Sequence, residues 1–453
     1  MANQTSQPDL SQLVRRVIDS ARGDEAIEAY AVRGRETDVR AYQGAVESLS
    51  SAESMGIGVR ILVEGRQGFA HAGTFDEAVI RETVEAARDN ARFATPDEEV
   101  QLATPDGVPP SELDLVDVAM FDASTDDKIA MAIELERLVS EIDPRISGVE
   151  SADYGDVVAE MALASTTGID VATQGTRASL STYVLATAGS ETQTGFGFSV
   201  GRGLGDLDPA RAASDAGERA TRMLGAVKPP TERTTIVFDP FVTAMFLGII
   251  GGTFSGEAVV KGRSLFADRL GDEIAATEVT LVDDPTDPRA FGATRFDGEG
   301  LATRRNAIIE NGELQQFVHN SWSARRSGTQ STGSAARGGY SSLPGVGCRA
   351  LQLEPGSLGA AALYSAVGDG VLVQSVAGLH SGVNPVSGDF STGAEGMRLT
   401  NGQVGEPLRE FTIGSTLQRM LLDVIAIGND VEWLPMGAAG VSLAVEGVTV
   451  SGS

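Results

Sequence analysis

FVTAMFLGIIGGTFSGEAVVKGRSLFADRLG, residues 241–271, divides the chain into two kinds of sequence. It opens on a short apolar helix candidate, breaks at Gly251-Gly252, and ends in a cluster holding Glu257, Lys261, Arg263, Asp268 and Arg269. Upstream of it helical and strand periods are mixed; downstream the pattern is mostly strand. The stretch contains neither histidine nor cysteine, so a catalytic reading of its charged cluster needs support from elsewhere in the chain.

Just before it, AVKPPTER (226–233) sets two consecutive prolines among polar residues, the best boundary signal in the sequence. It predicts an α+β fold of two domains, a mixed α/β N-terminal domain over 1–228 and a β-rich C-terminal domain over 229–453. Leu10, Leu13, Val14, Val17, Ile18 and Ala21 recur at helical spacing after Pro8-Asp9. Alternating strands are expected at 26–33 and 39–50, then a hairpin pairing 58–63 with 68–71 across Glu64-Gly65. Thr74 with Glu77 reads as a capping box for a helix reaching Phe93. Ser124 opens another helix, with Ile129, Ile133, Leu138 and Ile142 expected inward. Residues 146–154 and 157–200 read as strands, with Gly195, Gly197, Gly201, Gly203 and Gly205 as bends. Asp208-Pro209 starts a helix that ends at Gly225.

In the second half, strands are expected at 235–238, 279–283, 302–310, 314–320 and 440–450. Asn311-Gly312 and Asn401-Gly402 each predict a tight type I′ hairpin. Ser415 with Gln418 reads as a capping box for a last helix that buries Leu417, Leu421, Val424 and Ile425.

A length of 453 residues exceeds one ordinary core. The formal charge of −28 argues against direct contact with nucleic acid or an anionic membrane. A single cysteine, Cys348, permits no intrachain disulfide and suits a reducing compartment. The polar start MANQTSQPD lacks a signal core, and the apolar run 241–250 is about half of the roughly 20 residues a membrane span needs. A soluble, cytoplasmic protein is expected.

None of the three histidines, His71, His319 and His380, is followed by glutamate, so no HExxH zinc helix exists. GFSVG (197–201) matches G-x-S-x-G but lies in a strand-like run, and Ser199 reads as an ordinary strand residue. His380 and Ser381, as neighbours on a strand, would face opposite sides. There is no P-loop, and Cys348 reads as a small buried apolar residue. The residues therefore assign no catalytic group and no metal ligand.

Four segments carry a resemblance to a known family: KGRSLFADRLG (261–271), FDGEGLATRRNAIIENGELQQFVHNSWSARR (296–326), GVNPVSGDFSTGAEGMRLTNG (382–402) and IGND (427–430). The chain resembles the TldD/PmbA family and, within it, the PmbA (TldE) branch. The resemblance implies a curved, barrel-like C-terminal half and a place in a cytoplasmic heterodimeric metalloprotease. In that complex a TldD-type subunit carries zinc on an HExxxH helix and cleaves peptides or unfolded chains. Here a gapless match puts Leu247, Gly248 and Gly252 where the imidazoles and general base would stand, and no side chain there can bind zinc or activate water. The expected role is the zinc-free subunit, with no cofactor of its own and zinc in its partner; a homodimer stays open. The alternative is a self-associating peptide-binding or chaperone-like protein. Peptide is expected to bind by strand addition, on edges near 378–389 and around His319. Glu257, Lys261, Arg263, His319, His380, Asn384 and Asp389 are the candidates for that groove or for the subunit interface.

Overall fold

The computed structural model describes residues 8–452 of the chain. Asp9 caps α1 (Leu10–Ile18), accepting from the Ser11 and Gln12 N–H groups, and Leu10, Leu13, Val14 and Val17 are buried. The first half is built on one antiparallel sheet of β1 (Ala26–Tyr42), β2 (Ala45–Val63), β3 (Arg66–Ala72), β4 (Ile146–Ser165), β5 (Asp170–Ala188) and β6 (Glu191–Gly201). Their order is β3-β2-β1-β4-β5-β6. The alternating run 39–50 is not one strand. Gln43 (φ 54°) and Gly44 (φ 73°) reverse the chain, and Tyr42 pairs with Ala45 across the turn. Both arms keep the same alternation, so the period does not mark the reversal.

Helices α2 (Glu77–Phe93), α3 (Thr125–Glu141) and α4 (Pro209–Arg222) cover this sheet. The cap of α2 is Asp76 rather than Thr74: its carboxylate accepts from Ala78 and Val79 N–H, while Thr74 Oγ1 only accepts from Asp76 N–H. Ser124 caps α3 as expected, but the helix is rotated from the apolar reading. Ala132, Leu135 and Val139 are buried together with Lys128 and Glu136, whereas Ile142 is exposed. Two polar contacts set that rotation. Lys128 Nζ lies 2.6 Å from Asp156 Oδ2, and the Glu136 carboxylate accepts from Gln43 and Gly44 N–H at 2.6 and 2.9 Å. The Glu136 carboxylate supplies the acceptors that the N–H groups of this exposed turn take, and sequence periodicity ranks apolar residues only.

Gly195 and Gly197 of β6 are contact points for α4 rather than bends. A Cβ at Gly197 would lie 1.9 Å from the Ala212 carbonyl oxygen, and one at Gly195 would lie 2.1 Å from that of Ala216. The missing side chains let the helix axis approach the sheet.

The second half runs β7 (Glu232–Phe238), α5 (Pro240–Gly251), α6 (Gly256–Val260), β8 (Leu281–Asp283), β9 (Asn306–Glu310), β10 (Glu313–Leu314), α7 (Ser321–Arg326), β11 (Ala335–Ala336), β12 (Gly345–Val346) and β13 (Leu351–Leu353). It continues through α8 (Ala360–Val367), β14 (Gly370–Ala377), α9 (Leu379–Gly382), β15 (Asp389–Thr400), β16 (Gln403–Thr416), α10 (Leu417–Leu422), β17 (Val424–Ile427), β18 (Glu432–Trp433), β19 (Ala439–Gly440) and β20 (Leu443–Ser451). Strands β16-β15-β14-β7-β20 close into a five-stranded barrel, since Ile413 of β16 also pairs with Val450 of β20. The chain thus joins a curled half-barrel sheet to a closed barrel in its C-terminal region. Both Asn-Gly turns form as expected, with positive φ at Asn311 and Gly312 and at Asn401 and Gly402.

Several second-half expectations shift. Only Glu313–Leu314 of the run 314–320 and its approach is strand. The last helix is capped by Thr416, while Ser415 still belongs to β16. Val424 and Ile425 lie in β17, where Ile425 is exposed. Barrel closure draws that segment back into a sheet before the helix can extend.

Candidate functional site

The stretch 241–271 folds as α5, a single 3-10 turn and α6. Asp239 caps α5 with a 2.8 Å bond from Val242 N–H and meets Arg219 Nη2 at 3.1 Å. Burial pushes its carboxyl up to about 6, against the pull of Arg219. Arg219 stacks over Phe196 and Phe241, 4.6 and 5.8 Å from their ring centroids. Val242, Phe246, Leu247 and Ile250 anchor the helix in the main core.

The opposite face is bare. Gly248 and Gly252 are exposed four residues apart, and a Cβ on either would meet no atom within 4 Å. That spacing puts both on one helical face; in the match to HExxxH they are the positions of the general base, Gly248, and of one imidazole, Gly252. Leu247 instead points into the core and is fully buried. Of the three positions matched to a zinc motif, two therefore share the open face and the third does not.

Cys348 lies against the end of α5, its Sγ 3.9 Å from the Gly251 carbonyl. Burial, helped by the Asp283 charge, holds its thiol well above the ordinary range, the reverse of what a metal-ligating or nucleophilic thiolate needs. Among the described residues, no three His, Cys, Asp or Glu side chains converge to hold a metal ion. The donor set around α5 therefore does not fit a zinc ion.

The seven candidate residues fall into three places. Glu257 and Lys261 form an ion pair one turn apart on α6, and the Lys261 Nζ sits 5.9 Å from the Trp322 ring centroid. Arg263 is exposed beside them, its side chain without a partner among the described residues. His319 is buried behind α6, in contact with Gly256, where a Cβ would lie 2.1 Å from its Nδ1. Its Nδ1 is 3.1 Å from Ser323 Oγ, and burial lowers its pKa to about 4, so the ring is neutral at pH 7. His319 lines a cavity of about 850 Å³ together with Val259, Leu270, Gln316, Phe317 and Thr332.

His380, Asn384 and Asp389 are exposed in a separate loop. Asn384 Oδ1 accepts from Val386 and Ser387 N–H, and Ser387 Oγ donates to Asp389 at 2.6 Å. His380 stands in the helical turn α9, not on a strand. No hydrogen bond or ion pair among the described residues joins this loop to Glu257, Lys261 or His319. Neither 378–388 nor His319 forms the expected strand edge: the first is a turn and loop, and His319 is enclosed.

The free edge lies in the other half of the molecule. β3 covers β2 only from Ile57 to Val63, and residues 45–54 are exposed on both faces, with Val46 at 39% and Leu49 at 44%. Sequence reasoning also missed a buried network that ties the halves together. Arg60 bonds Glu28 at 3.0 Å and approaches Glu299 at 4.0 Å, and Arg337 closes on Glu28. Glu299 accepts from Ser321 N–H at 2.8 Å, fixing the start of α7 beside His319. Burial and the Glu299 charge push the neighbouring Asp297 carboxyl upward. The acidic pair in FDGEG, within a hydrophobic context, was the available signal.

Three family profiles match in succession: PmbA/TldA metallopeptidase domain 1 over residues 27–91, the central domain over 120–224 and the C-terminal domain over 231–452. The chain belongs to the PmbA/TldD family. Metalloprotease PmbA of Escherichia coli O157:H7 is 28% identical over 396 residues, 86% of this chain and 84% of that protein. A metalloprotease TldD homologue of Haemophilus influenzae is 25% identical over 429 residues, 88% and 87% of the two chains. The crystal structure of TldE from Thermococcus kodakarensis superposes with a TM-score of 0.88 at 25% identity, covering 97% of this chain and 99% of that one. No described helix is long and apolar enough to cross a membrane.

Proposed function

We propose that this PmbA/TldD family chain is the zinc-free subunit of a TldD/TldE-type heterodimeric metalloprotease that degrades or matures peptides and unfolded chains in the cytoplasm. The observation that carries this reading is α5, where a buried leucine, Leu247, and an open glycine, Gly252, stand at the two ligand positions and a second open glycine, Gly248, at that of the general base. The Glu257–Lys261 pair is mutually neutralised, and the nearest thiol is held protonated. The chain's part is then to shape an enclosed site and contact substrate or partner. The 850 Å³ cavity beside α6, polar along Gln316, His319 and Thr332 and apolar along Val259 and Phe317, suits an extended peptide. The test is reconstitution with a TldD-type homologue from the same genome. Peptide cleavage should appear only in the mixture and vanish with chelator, and the purified chain should carry no stoichiometric zinc by mass spectrometry. Cleavage by the chain alone overturns the assignment.

A second reading, a self-associating peptide-binding protein, draws on the bare β2 edge over residues 45–54. A stable homodimer with no partner-dependent cleavage would select it.

A further inference from the structure

A second cavity, of about 220 Å³, opens on the face of the β-sheet of the first half, between β4 and β5 and the segments around 293 and 349. Three arginines line it: Arg177 from β5, Arg202 just beyond β6, and Arg349 from the second half. None of the three takes part in an ion pair among the described residues. Arg202 Nη2 donates to the Ala290 carbonyl at 2.7 Å and Arg349 Nη2 to that of Ala335 at 3.1 Å. Arg349 Nε is buried without an acceptor. The Arg177 guanidinium makes no hydrogen bond among the described residues and is held only over the Phe291 ring, 5.0 Å from its centroid. Glu160, the one carboxylate on the cavity wall, is already engaged by Arg33 at 2.5 Å. Beyond the wall, Asp206 is bound by the Arg202 and Gly203 backbone N–H groups. Asp283 accepts from the Arg349 and Ala350 N–H groups.

Three guanidinium groups gathered without an ion-pair partner among the described residues, in a chain of net charge −28, repel one another at a cost that burial increases, and the charges of Asp206 near Arg202 and of Asp283 near Arg349 offset only part of it. Burial, then the charges of Arg202 and Arg349, pull Arg177 below its ordinary pKa. A guanidinium fork matches the two oxygens of a carboxylate or phosphate, and such charge-assisted bonds are the strong ones. Tyr30, whose hydroxyl has no partner among the described residues, lines the same cavity as a further donor. We propose that Arg177, Arg202 and Arg349 form a binding site for a compact oxyanion, delivered as the C-terminal carboxylate of a peptide or as free phosphate. The site uses residues from both halves of the chain and stands whether or not the protein works with a zinc-bearing partner.

Calorimetric titration of the full chain with N-acetyl-trialanine, with its C-terminal amide and with inorganic phosphate tests the site. The free acid or phosphate is expected to bind at least tenfold more tightly than the amide. The tighter of the two identifies the source. Arg177→Gln should weaken that binding at least tenfold and Arg177→Lys should restore part of it. Because it removes like-charge repulsion, Arg177→Gln should not lower Tm in the absence of ligand. Arg202→Gln gives a second variant should the first fail to fold, with the same loss expected. Neither acid nor phosphate binding more tightly than the amide, or unchanged binding by a folded Arg177→Gln or Arg202→Gln chain, overturns the proposal.

Discussion

At the scale of single residues, Asp239 links the α5 cap to pH. Its carboxyl is raised to about 6 from the ordinary 3.8, so the folded state holds this proton more tightly than the unfolded state does. Its contribution to stability is full below about 4 and is lost as pH rises through about 6, on the order of 3 kcal/mol. His319 acts with the opposite sign. Its pKa falls to about 4 from 6.5, so its contribution is full above the unfolded value and is lost as pH falls through about 4. Asp239→Asn keeps an acceptor for Val242 N–H and mimics the protonated carboxyl but cannot titrate. We expect no loss of stability relative to the parent at pH 5 together with a flatter decline of stability between pH 4 and pH 7, read by denaturant unfolding at several pH values. An unchanged slope would assign the titration elsewhere.

At the scale of elements, helix placement here depends on side chains that are absent. Gly197 lets α4 lie on β6, and an alanine there would press its Cβ into the Ala212 carbonyl, 1.9 Å away. Because that contact is backbone, the helix must move, and Gly197→Ala should cost about 2 kcal/mol or more. The measurement is the urea midpoint. Gly252→Ala is the control: its Cβ meets nothing within 4 Å, and it should change stability by less than about 0.5 kcal/mol. Glycine at 252 is thus unexplained by packing, which is the sense in which the α5 face is open. The same comparison separates the two kinds of glycine that a sequence prints identically.

At the scale of the whole molecule, two features concern assembly. The Glu28–Arg60–Glu299 chain with Arg337 joins the first-half sheet to the second half, while residues 45–54 leave a long strand edge uncovered. That edge carries Val46 and Leu49 with only Glu47 and Glu53 as charges, a poor defence against pairing with another chain. Replacing Val46 and Leu49 together with lysine should leave the fold intact and weaken association, with a partner subunit or a second copy, at least tenfold by sedimentation velocity. Association unchanged by the pair would remove this edge from the interface.

Sequence alone determined what is written in local chemistry. The Asn-Gly hairpins, the Asp9, Ser124 and Asp208 caps and the β2–β3 hairpin all follow from interactions within a few residues. The absence of histidine and cysteine from 241–271 and the family likeness were also readable there. Tertiary structure decided what depends on partners distant in the chain. It turned α3 toward Asp156 and the 43–44 turn, placed Leu247 in the core but Gly248 and Gly252 in the open, and buried His319 behind α6. It also separated His380, Asn384 and Asp389 from Glu257 and Lys261, and gathered Arg177, Arg202 and Arg349 around one cavity. The reason is physical: periodicity reports which residues can be buried, whereas the rotation of a helix, the enclosure of an imidazole and the meeting of three arginines are fixed by whichever buried polar groups must find one another.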